Sequence, residues 1–225
     1  MTPGQTAPAD TLASVVVRCM ECGVAYPGDR ALTGCPACGG LLDVVTPLDG
    51  GIDRASFGQG LTGAMAHSGV WRYWPMLPAI PRDSVVSRWE GNTPLYEDAR
   101  LASYAGMTGD VRIKHEGHNP TASFKDRGMT VGVSHAKAIG AKIVACASTG
   151  NTSASLASYA AAGGLASLVL IPDQKVSMGK LAQTMAYGSR VVQVAGDFDD
   201  ALAVLRELTA AWPVYLVNSV NPFRL

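Results

Sequence analysis

An α/β fold, a parallel sheet with flanking helices behind a small cysteine-rich ribbon, is predicted by three observations. Short apolar runs alternate with helical periodicities from residue 111 to residue 220, the pattern of βαβ units around a parallel sheet. Glycine or proline closes many of these runs, as at Gly140, Gly163-Gly164 and Pro172. Ahead of them stand two C-x-x-C pairs.

Composition narrows the class. The chain has 225 residues, 25 of them glycine, and is 48% hydrophobic, enough to bury a core in one or two domains. Eighteen basic residues balance eighteen acidic ones. Neither nucleic acid nor a membrane surface is therefore an expected partner, since both call for a basic excess. No apolar run approaches the ~20 residues of a membrane span. Residues 1–13 are polar, lack the basic start and apolar centre of a signal peptide, and read as a disordered tail. The expected location is cytoplasmic, where thiols stay reduced.

Residues 14–46 read as a zinc-ribbon-like segment. Cys19 and Cys22 (CMEC) and Cys35 and Cys38 (CPAC) form two knuckles, each followed by glycine. Four thiolates can close a tetrahedral shell around structural zinc; a disulfide or redox pair is the competing reading. With no open ligand position, such a metal would hold a segment too short for its own core. SVVVRC (14–19) and GGLLDVV (39–45) flank the knuckles as strands. Residues 47–92 read as a connector arm, with a helix at about 53–67 and then WRYWPMLPAIPRD, whose three prolines forbid regular structure. Trp71, Tyr73 and Trp74 are expected to pack this arm onto the body.

Residues 93–225 form the body. VRIKHE (111–116) alternates like a strand, and SFKDRGMTVGVSHAKAIG (123–140) is a helix stopped by Gly140. KIVACAS (142–148) is a buried strand in which Cys146 is a small core residue. TSASLASYAAAGG (152–164) is a helix, SLVLIP (167–172) a strand, and KVSMGKLAQTMAYG (175–188) a helix. RVVQVAG (190–196) is a strand, and DFDDALAVLRELTAAW (197–212) a helix with acidic residues in its first turn, where the dipole favours them. VYLVNSV (214–220) is the last strand. His67, His115, His118 and His135 share no ligand spacing and read as surface or packing residues.

Ligands of parallel sheets bind beyond the carboxyl ends of strands, against helix N-termini. ASTGNTS (147–153) offers Ser148, Thr149, Asn151, Thr152 and Ser153 there, either as an anion or cofactor cradle or as a cluster of helix caps. NSVNPFR (218–224) presents Asn218, Ser219, Asn221 and Arg224, and arginine matches phosphate in bidentate fashion. In NPTASFKDRG (119–128), Ser123 and Asp126 have capping-box spacing, which sets Lys125 in the first turn of a helix. The dipole and partial burial there favour the neutral amine that makes a Schiff base. Spacing alone leaves this reading level with that of a solvated first-turn lysine.

GNTPL (91–95), NPTASFKDRG, STGNTSAS (148–155) and NSVNPFR, behind the two cysteine pairs, closely resemble the threonine synthase family. That family belongs to the fold type II, tryptophan synthase β-like enzymes that use pyridoxal 5′-phosphate (PLP). The resemblance covers nearly all of the chain from Cys19 onward. It implies that Lys125 holds PLP covalently and then shuttles protons, that Phe124 flanks the ring, and that Asn151 bonds its 3′-oxygen. Ser148, Thr152, Asn218, Ser219 and Arg224, with Lys114 as a further member, would bind the phosphate of O-phosphohomoserine. The implied reaction converts O-phospho-L-homoserine and water to L-threonine and phosphate. Ala122 stands where the family has glycine.

The family continues well beyond a stretch like NPFRL, with a glycine-rich loop for the PLP phosphate. The resemblance therefore implies a C-terminal half absent here, an incomplete cofactor site, and a partner that is either that half or further copies in a homo-oligomer. It also implies a VRIKHE strand left without its sheet. Other readings share these motifs: a threonine or serine dehydratase, a cysteine or cysteate synthase, or a non-catalytic phospho-amino-acid binding protein. Arg224 and the ribbon argue against a dehydratase. A zinc-ribbon nucleic-acid module is disfavoured by the balanced charge.

Overall fold

Each cysteine knuckle turns between strands too short to stand alone. The structure, a computed structural model, describes residues 12–46, 52–173 and 177–225. The expected tail up to residue 11, the start of the arm at 47–51 and the residues at 175–176 that were to open a helix lie outside the described residues. In the ribbon, β1 (Val16–Cys19) pairs antiparallel with β2 (Ala25–Pro27) on one side and β3 (Leu42–Val45) on the other. The sequence pattern did not reveal β2. Leu12, expected in the tail, is buried with Val15, Val17, Cys19, Cys35 and Leu42.

The arm departs from its predicted form. The single helix expected at 53–67 is a 3₁₀ turn (Arg54–Ser56) and a short α1 (Ala64–His67). Gly58, Gly60 and Gly63 between them all have positive φ, which an α-helix cannot hold. Conversely, Trp71–Met76 forms a 3₁₀ helix despite Pro75, its turn bent at Tyr73. Trp71 is fully buried and donates through Nε1 to Thr130 Oγ1 at 2.8 Å, so it does fasten the arm to the body, while Tyr73 stays exposed.

β4 (Leu95–Glu97), α2 (Ala99–Ala105) and β5 (Arg112–Lys114) follow. The VRIKHE strand is not left alone: β5 pairs antiparallel with β4, apart from the main sheet. That pairing went unpredicted because Leu95–Glu97 is too short to show a period.

The main layer is built from α3 (Lys125–Ala138), β6 (Ile143–Ala147), α4 (Asn151–Gly163), β7 (Ala166–Pro172), α5 (Met178–Ala186), β8 (Arg190–Val194), α6 (Phe198–Ala211) and β9 (Val214–Leu216). The four strands are parallel in the order β8-β7-β6-β9. Alternation along β6 explains its unbroken apolar run. Val144 and Cys146 join Met129, Val133, Leu156 and Tyr159 of α3 and α4 on one face; Ala145 and Ala147 join Ala201 and Leu205 of α6 on the other. Asp197 and Asp200 close a capping box on α6, and Gly164, left-handed, ends α4. Burial pushes the Cys146 thiol up to about 12, as suits an inert core residue. Among the described residues no helix is long and apolar enough to cross a membrane.

Gly128 and Gly132 lie one turn apart on α3 and admit the C-terminal segment. A Cβ at 128 would fall 2.0 Å from the Arg224 carbonyl oxygen, and one at 132 would fall 3.3 Å from Arg224 Cβ. His135, one turn further on, is fully buried. Its Nε2 donates to the Gly28 carbonyl of the ribbon, its Nδ1 accepts from the Tyr215 hydroxyl, both at 2.6 Å, and its ring stacks on Phe223 at 3.5 Å.

Two predictions follow from these contacts. Burial holds the His135 imidazole down at about 4, against the partial opposition of the Gly28 carbonyl and Asp29. The unfolded histidine titrates near 6.5, so between about pH 6.5 and pH 4 the unfolded chain binds a proton that the folded chain refuses. Stability should fall as pH falls through that window, by roughly 3 kcal/mol. Urea melts should show this loss in the native chain and a shallower one in His135→Gln; equal slopes would refute it. Ala122 sits at φ 58°, a conformation that costs a side-chain-bearing residue about 1–2 kcal/mol. Ala122→Gly should therefore stabilise the chain by about 1 kcal/mol, read as a higher urea midpoint. A lowered midpoint would show that the turn is not strained.

Candidate active site

Lys125 opens α3, and a buried carboxylate fixes the loop before it. Asp126 accepts from the Thr121 amide at 2.7 Å, the Thr121 hydroxyl at 2.6 Å and the Ser155 hydroxyl of α4 at 2.5 Å. The expected Ser123–Asp126 capping box does not form: Ser123 Oγ accepts from the Lys125 amide at 3.2 Å instead, and Phe124 is the N-cap. The reason is burial, because Asp126 has no exposure and takes the donors within the core that satisfy it best. Lys180 of α5 ties the same loop through the Thr121 carbonyl at 2.9 Å.

A second network joins two motifs. Glu116 receives Arg127 at 2.6 and 2.8 Å, the Thr93 hydroxyl at 2.7 Å and the Asn119 amide at 3.0 Å, and Gly91 N donates to Asn119 Oδ1. The Arg127 guanidinium holds the Glu116 carboxyl down to about 2. Glu90, fully buried, accepts from Ser68, Ser87, the Arg88 amide and Tyr159. Sequence reasoning missed Glu90, Glu116 and Ser155 as positioning groups; none stands in a recognisable spacing with its partners.

The Lys125 ammonium lies 4.3 Å from the centre of the Phe124 ring, which is 55% exposed. Burial, and next the charge of Arg224, lower the Lys125 pKa from its ordinary value. Arg224 itself is only 7% exposed. Its Nη2 donates to Thr152 Oγ1 at 3.0 Å and its Nη1 to Ser219 Oγ at 3.4 Å. Among the described residues no carboxylate pairs with it. A buried cation facing only hydroxyls lacks the counter-charge that burial demands. Beside it, α4 starts at Gly150 with no side-chain cap, so its first N–H groups stay open to an anion. Ser148 Oγ accepts from Gly150 N at 3.2 Å and shapes this turn, and Asn151 is exposed at its rim.

Not every expected residue converges. Lys125, Phe124, Ser219 and Arg224 line one cleft of about 510 Å³, together with Val44 of the ribbon and Leu77 of the arm. Thr152 joins through Arg224. Asn218 engages both ends of its amide with the Ala147 backbone, at 2.9 Å each, and so braces the end of β6 instead of pointing a free amide outward. Asn221 likewise turns inward, to Leu216 O and Phe223 N. Lys114 lies apart on β5 and donates to the Thr93 carbonyl.

The residues present suit the aldehyde end of PLP: a primary amine held toward its neutral form, open to a cleft, with an aromatic ring beside it. They also suit a metal. The four thiols of Cys19, Cys22, Cys35 and Cys38 lie within 4.8 Å of one another, with Cys19–Cys38 at 3.5 Å and Cys22–Cys35 at 3.6 Å. A tetrahedral zinc–thiolate site has sulfur–sulfur edges of about 3.8 Å. The Tyr26 hydroxyl donates to Cys35 at 3.2 Å and holds that thiol down to about 6.

Known proteins resemble this chain over much of its length. Residues 86–224 match the model of the family described as pyridoxal-phosphate dependent enzyme. A threonine synthase of Methanocaldococcus jannaschii is 47% identical over 92% of this chain and 50% of its own length, and one of Methanosarcina acetivorans is 46% identical over 93% and 50%. The chain thus spans about half the length of these curated relatives. Among solved structures, a hydrogen sulfide-producing enzyme of Fusobacterium nucleatum superposes with a TM-score of 0.50 at 27% identity, over 56% of this chain and 42% of that one. With residues 86–224 matched, more than half of its length, the chain belongs to the pyridoxal-phosphate dependent enzyme family.

Proposed function

We propose that this chain carries the lysine and the phosphate-binding half of a threonine synthase-like site that turns O-phospho-L-homoserine and water into L-threonine and phosphate. The observation that carries this reading is Arg224, a buried guanidinium without a carboxylate, sharing a cleft with the Lys125 amine. The similarity to threonine synthases supports it. In this reading residues 14–46 are a zinc-ribbon-like segment, 47–92 a connector arm, and 93–225 the N-terminal part of the catalytic fold. Cys19, Cys22, Cys35 and Cys38 hold a structural zinc.

PLP, when bound, supplies an electron sink for charge developing on the substrate carbon skeleton. The residues of this chain do the rest. Lys125 Nζ binds the cofactor and moves protons at the substrate's α and β carbons, its lowered basicity keeping it ready to accept one. Phe124 and Asn151 border the ring. Arg224, Thr152 and Ser219, with Ser148 and the open N–H groups of α4, hold the departing phosphate and stabilise its charge. Asn218 positions that group by bracing β6. Lys114 takes part only by supporting Thr93.

Borohydride reduction with added PLP, followed by peptide mass mapping, should place the label at Lys125 and nowhere else. Label spread over other lysines would sink the assignment. Arg224→Met should weaken binding of inorganic phosphate and of O-phosphohomoserine by about a hundredfold, the loss of two charge-assisted hydrogen bonds, while the Lys125 label persists. Unchanged titration curves would remove Arg224 from the site. Release of phosphate with threonine supports the reaction; keto acid formed from threonine would instead assign a dehydratase.

A further inference from the structure

The ribbon is more than an appendage, because residues of β3 and of the arm line the same cleft as Lys125 and Arg224. Its apolar residues share one core with Val131 of α3 and with Phe223, the neighbour of Arg224. A continuous line of contacts runs from the cysteines to the guanidinium. Cys35 accepts from the hydroxyl of Tyr26 on β2 at 3.2 Å, and β2 leads at once to Gly28. The Gly28 carbonyl accepts from His135 at 2.6 Å, His135 stacks flat on Phe223, and Arg224 follows. Each contact has a fixed partner and geometry: a hydroxyl on a thiol, a ring N–H on a carbonyl, two rings 7° from parallel.

We infer that the four-cysteine centre and the Arg224 anion site are energetically coupled, so that a thiophilic divalent cation in the ribbon tightens phosphate binding in the cleft. The inference rests on the anion-site reading given above. A metal draws the four sulfurs together and sets the position of Cys35, hence of Tyr26 and of the β2–Gly28 turn. With the metal gone, a three-stranded sheet of three- and four-residue strands has little to hold it. The Gly28 carbonyl then loses its place over His135, Phe223 loses its stacking partner, and Arg224 loses the alignment with Thr152 and Ser219. Coupling of this kind is reciprocal: phosphate must raise metal affinity by the factor by which metal raises phosphate affinity.

The test uses the whole chain, zinc and inorganic phosphate. Phosphate affinity is measured by calorimetry on zinc-loaded protein and on protein stripped with a chelator, and zinc affinity by chelator competition with and without saturating phosphate. The expected result is phosphate binding weaker by about fivefold or more without zinc, with the same factor in the reciprocal experiment. In zinc-loaded His135→Gln, phosphate and zinc should each still bind, with the factor reduced toward one. Equal phosphate affinity with and without zinc would overturn the coupling while leaving the anion site intact. Absence of phosphate binding to the zinc-loaded chain would overturn the site reading as well. Loss of the far-UV helical signal on stripping would also overturn the proposed line of contacts, since the effect would then be global unfolding. An undiminished factor in His135→Gln would do the same.

Discussion

Arg224 can lie where it does because α3 presents no side chain at residues 128 and 132. Its carbonyl oxygen occupies space that any Cβ at 128 would claim. That one close approach brings the end of the chain against the first turn of the helix that carries Lys125. It also aligns Phe223 with His135 and so carries the ribbon with it. Without two backbone surfaces in contact, the lysine and the arginine would stand on separate layers, and the cleft between them would have no floor.

The electrostatics separate structure from chemistry. Asp126 and Glu90 are buried carboxylates, each satisfied by several donors, and Glu116 is matched to Arg127. These groups hold loops in place at the cost of desolvation, which their hydrogen bonds offset. Arg224 is nearly as buried, and among the described residues its side-chain hydrogen bonds go to hydroxyl groups. A charge left open in this way at the N-terminus of α4 is an arrangement that a bound anion completes. Burial first, and then this charge, lowers the proton affinity of Lys125, so one residue bears both on the open end of α4 and on the amine.

Much of this was legible in the chain. Helix and strand runs in the main layer follow from apolar period and from Gly140, Gly164 and Pro172, most clearly in α3, β6 and α4, which bury most of their residues. The polar loop at 147–153 and Arg224 could be named from their positions at strand ends, Lys125 from its motif and the resemblance that the motif carries, and the four cysteines from their spacing. The arm was less legible. Three glycines broke the helix expected at about 53–67, and a 3₁₀ turn absorbed a proline that an α-helix would refuse. The capping box failed although its spacing was correct, since spacing says nothing of Thr121 and Ser155 competing for the same carboxylate.

The sequence by itself determined the elements of the main layer, the class of a parallel sheet with flanking helices, and the residue types able to bind an amine-reactive cofactor, an anion and a thiophilic metal. These depend on local period, turn chemistry and side-chain chemistry, all of which act within a few residues. Only the tertiary structure decided which candidates meet. It joined Arg224 to Thr152 across 72 positions of chain and Gly28 to His135 across 107. It turned Asn218 and Asn221 inward and set Lys114 apart. Such choices are made by packing, where the absence of a Cβ or the burial of a carboxylate selects one partner among many that the sequence allows.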